Sequence, residues 1–389
     1  MRRPPPIRTN SSNRFAHNTM RVRLPAIIDE VLTLNSDYEA SIQARLSKLR
    51  DEIAGGALIP PLPSCAPDHD EWQRAIDKQR EATQSQPGWQ DAEWFFAETY
   101  AYRWILEAAR WGETGRDPFA PKKRAELNGD ALWRLVERAL QPSDSLADAL
   151  SRGLALDLWA NRIDLSYAAS QQHGTATSAD DLLVDDRGAV IAQLLDEPAG
   201  EIALVADNAG SELALDLALV DLLLRRAGAR AHICLKAAPT FVSDATIHDV
   251  WLMLAEMERR SLESAALANR LRAAWSAERL RFLPHPFWNS SLFMWELPAS
   301  LHDALNKAQL VIIKGDANYR RAVGDCLWDA HSPFAEALGY LDAPALCLRT
   351  LKSDPLVGLP GQIKTQTLDA SDPEWRVNGK RGLIQFKAR

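Results

Sequence analysis

The sequence predicts an α/β protein, a three-layer α/β/α sandwich on a mainly parallel sheet, preceded by a helical N-terminal domain. Three observations carry this. Short, nearly continuous apolar runs recur in the second half; helical patterns separate them; the first half carries the helical pattern alone.

The first half reads as helices. Apolar residues recur at three- and four-residue spacing over Leu24 to Leu49 and Trp89 to Trp111, with Glu, Arg and Lys between them. Leu132 to Leu165 continues the pattern, interrupted at Gln141-Pro142-Ser143. Segment 53–70 is rich in Gly and Pro and reads as a surface loop. No internal repeat or low-complexity tract is visible.

Near Asp185 the character changes, which divides the chain into a helical domain over 1–185 and an α/β/α domain over 186–389. The apolar runs are Ile202 to Ala206, Ala231 to Leu235, Leu310 to Ile313 and Ala345 to Leu348. Such unbroken runs suit parallel strands covered on both faces. Helical patterns at Leu213 to Arg226, Ile247 to Arg260 and Leu301 to Lys307 lie between them. Right-handed crossovers and three layers follow from that alternation.

The residues just after each run carry the functional signal. The first run leads into Asp207-Asn208, and the second into Lys236 and then Ser243-Asp244. The third leads into Lys314-Gly315-Asp316 and Asn318-Tyr319-Arg320, the fourth into Arg349-Thr350-Leu351-Lys352. Four strands thus deliver charged groups to one edge of the sheet, the carboxyl edge, where open α/β sheets bind ligands. Asp207, Asp244 and the Asn208 carbonyl are hard oxygen donors that suit Mg²⁺ or Mn²⁺ better than zinc, with Co²⁺ and Ni²⁺ also admissible. Lys236, Lys314, Arg320, Arg349 and Lys352 are cations among which phosphate ligands are sought. Metal ligands beside cations fit phosphoryl transfer.

Each residue also has a plainer explanation. Asp207 and Asp244 both stand where helix caps occur. Glu212 either reaches the site or favours the helix dipole. Asp216 and His232 read as structural residues, and Lys236 alone would be a strand-end lysine.

Composition excludes other classes. A net charge of −7 argues against general nucleic-acid or anionic-membrane binding. Apolar stretches end well short of membrane-spanning length, and the basic N-terminus lacks the apolar core of a secretory signal. The four scattered cysteines form no CxxC pair, so reduced thiols in a soluble cytoplasmic protein are expected. No Walker-A loop, GxGxxG, GxSxG or HExxH spacing occurs.

At these same residues the sequence resembles the damage-control phosphatase family, also known as domain of unknown function 89. It is most similar to the sugar-phosphate phosphatase subfamily also described as acidic-residue methyltransferases. The stretches that carry the resemblance are Asp207-Asn208-Ala-Gly-Ser-Glu212, Lys236 through Asp244, Lys314-Gly-Asp316-Ala-Asn318-Tyr319-Arg320 and the RTxK motif Arg349-Thr-Leu-Lys352. In the helical half they are Phe15 to Pro25, Glu98 to Arg103 and Leu158-Trp-Ala-Asn161-Arg-Ile-Asp164. Two departures are visible: Ser211 stands where an aromatic is usual, and Ala160 where Gly is common.

The resemblance implies a divalent metal held by Asp207, Asn208 and Asp244. It implies catalysis by these three with Lys352, and substrate binding by Glu212, Lys352 and Asp316, Asn318, Tyr319 and Arg320. The implied substrate is a small phosphorylated metabolite of the fructose 1-phosphate or fructose 6-phosphate class. A helical lid bringing Glu98 or Arg103 to a sugar pocket is also implied. The nucleophile stays open between an Asp and water. The subfamily's history keeps an S-adenosylmethionine-dependent methyltransferase as a rival, though only a partial glycine loop, Asp207-Asn-Ala-Gly210, is present. A non-catalytic metabolite-binding protein is the second rival.

Overall fold

A computed structural model of the chain describes residues 3–160 and 181–389. Asn161 and Asp164, and the end of the helical pattern running to Leu165, lie outside them. The helical stretch from Leu24 divides into helices Leu24–Leu34 and Ala40–Gly55. Buried Asn35 breaks it, its amide donating to the carbonyls of Val31 and Pro118. The Pro142 interruption separates helices Asp130–Leu140 and Leu146–Leu158.

Seven strands form one sheet: β1 Leu182–Asp185, β2 Glu201–Val205, β3 Arg230–Lys236, β4 Leu280–His285, β5 Leu310–Lys314, β6 Ala345–Thr350 and β7 Gly382–Lys387. Their spatial order is β1-β7-β6-β5-β2-β3-β4, and every pairing is parallel except β6 with β7. The four predicted runs are the four central strands. Their side chains alternate between two apolar layers. Ile202, Leu204, Ile233, Ile312 and Leu346 face the core shared with helices Leu146–Leu158, Ser211–Leu224 and Ile247–Arg260. Ala203, Val205, Cys234, Val311 and Cys347 face the core shared with helices Ala299–Asn306 and Gly315–Val323.

The helices from Met20 to Phe119 build a separate apolar cluster. Helices Asp130–Leu140 and Leu146–Leu158, by contrast, share the core of the sheet. Cys234, Cys326 and Cys347 are buried free thiols and Cys65 is an exposed one. Among the described residues no helix is long and apolar enough to cross a membrane.

Candidate active site

The site begins at the sheet's topological switch point. β2 and β5 lie side by side, but the chain leaves β2 toward β3 and leaves β5 toward β6, on opposite sides. Their carboxyl ends therefore open a crevice between diverging loops. Asp207, two residues beyond β2, and Gly315, the first residue after β5, meet there. Gly315 has φ +81°, and a Cβ on it would fall 1.8 Å from Asp207 Oδ2. The close approach demands glycine.

Asp244 arrives from the loop after β3. Ala245 N–H donates to the Asp207 carbonyl (2.8 Å) and Ala209 N–H to the Ser243 carbonyl (2.6 Å), lacing the two acidic loops together. The turn into Asp244 is strained. Phe241 and Val242 have φ of +46° and +71°, and Ser243 N–H folds back to the Phe241 carbonyl at 2.9 Å. A β-branched residue at positive φ is held only by its surroundings, here by the Phe241 ring against Tyr102, with centroids 4.9 Å apart.

The carboxylates are buried, with Asp207 7% and Asp244 1% exposed. Burial, then Glu212 and Asp244, lift the Asp207 carboxyl well above the usual range. Lys236 and Lys352 are near enough for their charges to oppose the shift. Burial also raises Asp244 against the pull of Lys236. The Lys236 ammonium lies 3.2 Å from Asp244 Oδ2, outside hydrogen-bond alignment. Its second contact is Asn318 Oδ1 at 3.3 Å. Lys236 is thus enclosed within the site rather than hanging from a strand end. Asp207 Oδ1 has no hydrogen-bond partner among the described residues. Asn208 bridges the group. Its Nδ2 donates to Asp207 Oδ2 (3.2 Å) and Glu212 Oε1 (2.7 Å), and its Oδ1 accepts from the Ser243 hydroxyl (2.6 Å).

These donors suit a hard cation. Two carboxylate oxygens lack aligned donors, and negative charge is in local excess. Among the described residues no three Asp, Glu, His or Cys side chains form a metal-holding group, and the Asn208 amide turns its Nδ2, not its Oδ1, toward Asp207.

Most of the other cations turn inward. Lys314 is buried between Asp157 and Asp216 (2.8 Å to the latter). Arg320 is held between Glu98 (2.6 Å) and Asp325 (2.8 Å), with its guanidinium over the Trp94 ring. Arg349 binds Asp316 at 2.8 Å. Asn318 and Tyr319 are fully buried; Asn318 Nδ2 donates to the Ala206 carbonyl (3.0 Å), and the Tyr319 hydroxyl accepts from Val357 N–H (3.2 Å). From that segment Gly315, which opens helix Gly315–Val323, abuts the Asp207 carboxylate. Asp316 also accepts from the Lys352 backbone N–H (3.0 Å), fixing the RTxK loop. Arg349 and Arg320 outweigh burial and hold Asp316 below the usual range, hence ionised.

Arg103 lines a cleft of about 830 Å³ on the far side of loop 237–240, already paired with Asp68 (2.7 Å) and Glu107 (3.0 Å). None of Asp207, Asp244, Asp316 or Lys352 lines that cleft. Glu98 points to Arg320 instead of a sugar pocket.

Two participants went unread in the sequence. Lys123 donates to the Asp244 carbonyl at 3.0 Å, and Glu126 accepts from Ser211 N–H at 2.7 Å. Both lie on helix Ala120–Leu127. Their sequence, Lys-Lys-Arg-Ala-Glu, looks like any solvated helix face, and no local signal distinguishes them.

Residues 19–368 match the family described as the damage-control phosphatase ARMT1-like domain. Damage-control phosphatase ARMT1 of Mus musculus is 32% identical, covering 96% of each chain. The Homo sapiens relative of the same name is 31% identical over the same shares. A solved structure described as a DUF89 family protein from Pyrococcus horikoshii aligns with a TM-score of 0.49 at 13% identity, over 96% of this chain and 98% of that one. This chain belongs to the ARMT1-like damage-control phosphatase family.

Proposed function

We propose that the chain is a divalent-metal-dependent phosphatase of sugar-phosphate monoesters, of the fructose 1-phosphate and fructose 6-phosphate class, serving to clear damaged or reactive phosphometabolites. The observation that carries the reading is the buried acidic pair Asp207 and Asp244 at the switch point, with Asp207 Oδ1 lacking a hydrogen-bond partner among the described residues and Lys352 within electrostatic reach.

Asp207, Asn208 and Asp244 would hold Mn²⁺ or Mg²⁺, with Co²⁺ and Ni²⁺ also chemically suited, and the ion supplies positive charge to the phosphoryl group as it transfers. A half-turn of the Asn208 amide would present its oxygen to the acidic pair and its NH₂ to Ser243, whose hydroxyl accepts as readily as it donates. Before that turn Glu212 Oε1 accepts from the amide Nδ2, and the turn would exchange this bond for the metal. Lys352 would neutralise phosphate oxygens. Asp316 fixes the Lys352 backbone. Asp207 acts as a ligand in this reading.

The methyltransferase alternative wants an open glycine loop for its cofactor. Here a Cβ on Gly210 would fall 2.2 Å from the Glu126 carboxyl carbon, so that approach is filled by an acidic group. The test is inorganic phosphate release from a panel of sugar phosphates, each assayed with Mg²⁺, Mn²⁺, Co²⁺ and Ni²⁺. Turnover of ketose phosphates that needs added metal is expected. Turnover confined to other ester classes would refute the substrate assignment.

A further inference from the structure

Helix Ala120–Leu127 belongs to the helical half, yet two of its side chains grip the two loops that carry the acidic pair. Lys123 and Glu126 are three residues apart and share one face of it. The Lys123 ammonium is buried. It donates to the Asp244 carbonyl (3.0 Å) and pairs with Asp249 (2.9 Å) and Asp117 (3.1 Å). Asp249 in turn closes the capping box of helix Ile247–Arg260, accepting from Thr246 N–H at 2.9 Å. Lys123 therefore ties the Asp244 backbone to the helix that follows it.

Glu126 does the same on the other side. Its Oε1 accepts from Ser211 N–H at 2.7 Å, and the carboxylate lies flat against Gly210, whose φ is +68°. It fixes the loop two and three residues beyond Asn208. One helix thus contacts both loops.

We infer that Lys123 and Glu126 are positioning residues that set the separation of Asp207-Asn208 from Asp244, and with it the affinity of the site for a divalent cation. The inference rests on the metal reading above. Neither side chain is itself offered as a ligand; each acts through the backbone it holds. Partners that orient ligands in this way are typically worth roughly ten- to a hundredfold in metal affinity.

The test uses the full chain after chelation, with Mn²⁺ binding followed by the loss of the free-ion EPR signal and the unfolding temperature recorded in parallel. Glu126→Asp keeps the charge but shortens the reach; Glu126→Gln keeps the reach and an acceptor oxygen but loses the charge. Lys122→Ala, on the same helix and paired with Glu30 away from the site, is the control. The expected result is Mn²⁺ binding weakened roughly tenfold or more in Glu126→Asp, largely restored in Glu126→Gln and unchanged in Lys122→Ala. Lys123→Met is expected to weaken binding in the same sense, and the Glu126 pair keeps the test sharp if that variant does not fold. Wild-type affinity in Glu126→Asp, or equal weakening in Glu126→Gln, would overturn the positioning role alone. A wild-type protein that binds no Mn²⁺ would instead overturn the metal reading together with this inference.

Discussion

Asp207 sits against Gly315 with one oxygen held by Asn208 and the other without a donor. Any side chain at position 315 would collide with that carboxylate and would also have to adopt positive φ. Gly315→Ala should therefore lower stability by about 1–3 kcal/mol and reduce turnover together, read as unfolding temperature and kcat on one preparation. Lys352 has a different signature. Its charge reaches Asp207, and its backbone is fixed by Asp316 whatever the side chain. Lys352→Ala should leave the fold intact and raise KM for a phosphate monoester roughly tenfold or more, since hydrogen bonds to charged groups contribute about 1.5–3 kcal/mol. An unchanged KM would remove Lys352 from phosphate binding. At this scale the sequence showed where charges stand but not whom they face. Lys314 and Arg320 looked available because the carboxylates that occupy them, Asp157, Asp216, Glu98 and Asp325, are distant in sequence or, for Asp325, lie beyond the end of helix Gly315–Val323.

The central elements were legible and the edges were not. β2, β3, β5 and β6 are buried on both faces, so their apolar runs are nearly continuous, His232 being the exception. β4 is an edge strand, half exposed, with Arg281 and Pro284 within it. Edge strands tolerate such residues, and the run loses its signature. β1 is only four residues long, and β7 mixes Gln385 and Lys387 into its run. Where helix Leu146–Leu158 meets the end of β5, Lys314 lies between Asp157 and Asp216, one cation for two buried carboxyls. Burial lifts Asp157 well above its usual range, against the pull of Lys314 and with further lift from Asp216. A carboxyl with a raised folded pKa costs stability as pH climbs from its unfolded value, 3.8, through the folded one. Asp157→Asn removes that cost and keeps an acceptor for Lys314. Its unfolding temperature should exceed the wild type's at pH 7, with the gain fading as pH falls toward about 4. A variant less stable at pH 7 would mean that the ionised pair is needed.

On the scale of the whole molecule, the helical half is part of the site's construction. Glu98 and Trp94 enclose Arg320, which stands on the helix opening from β5. Arg320→Met would leave Glu98 and Asp325 buried without their cation, at a cost of about 3–5 kcal/mol, measurable by denaturant unfolding. A loss below about 1 kcal/mol would show that the two halves are joined by other contacts. Such links between sequence-distant residues are why the sheet could be read from the sequence while its junction with the helices could not. Membership of a damage-control phosphatase family and the acidic pair at the switch point meet in one proposal, that the chain hydrolyses a sugar phosphate at a site where Asp207, Asn208 and Asp244 would hold a divalent metal. Phosphate release from fructose 1-phosphate by chelated protein, with and without restored Mn²⁺, in wild type and Asp244→Ala, tests it most directly. Release is expected only from wild type with metal, with a loss in Asp244→Ala of at least roughly 10²-fold, the scale of removing one charge-stabilising group. Metal-independent release, or unchanged release by Asp244→Ala, would contradict it.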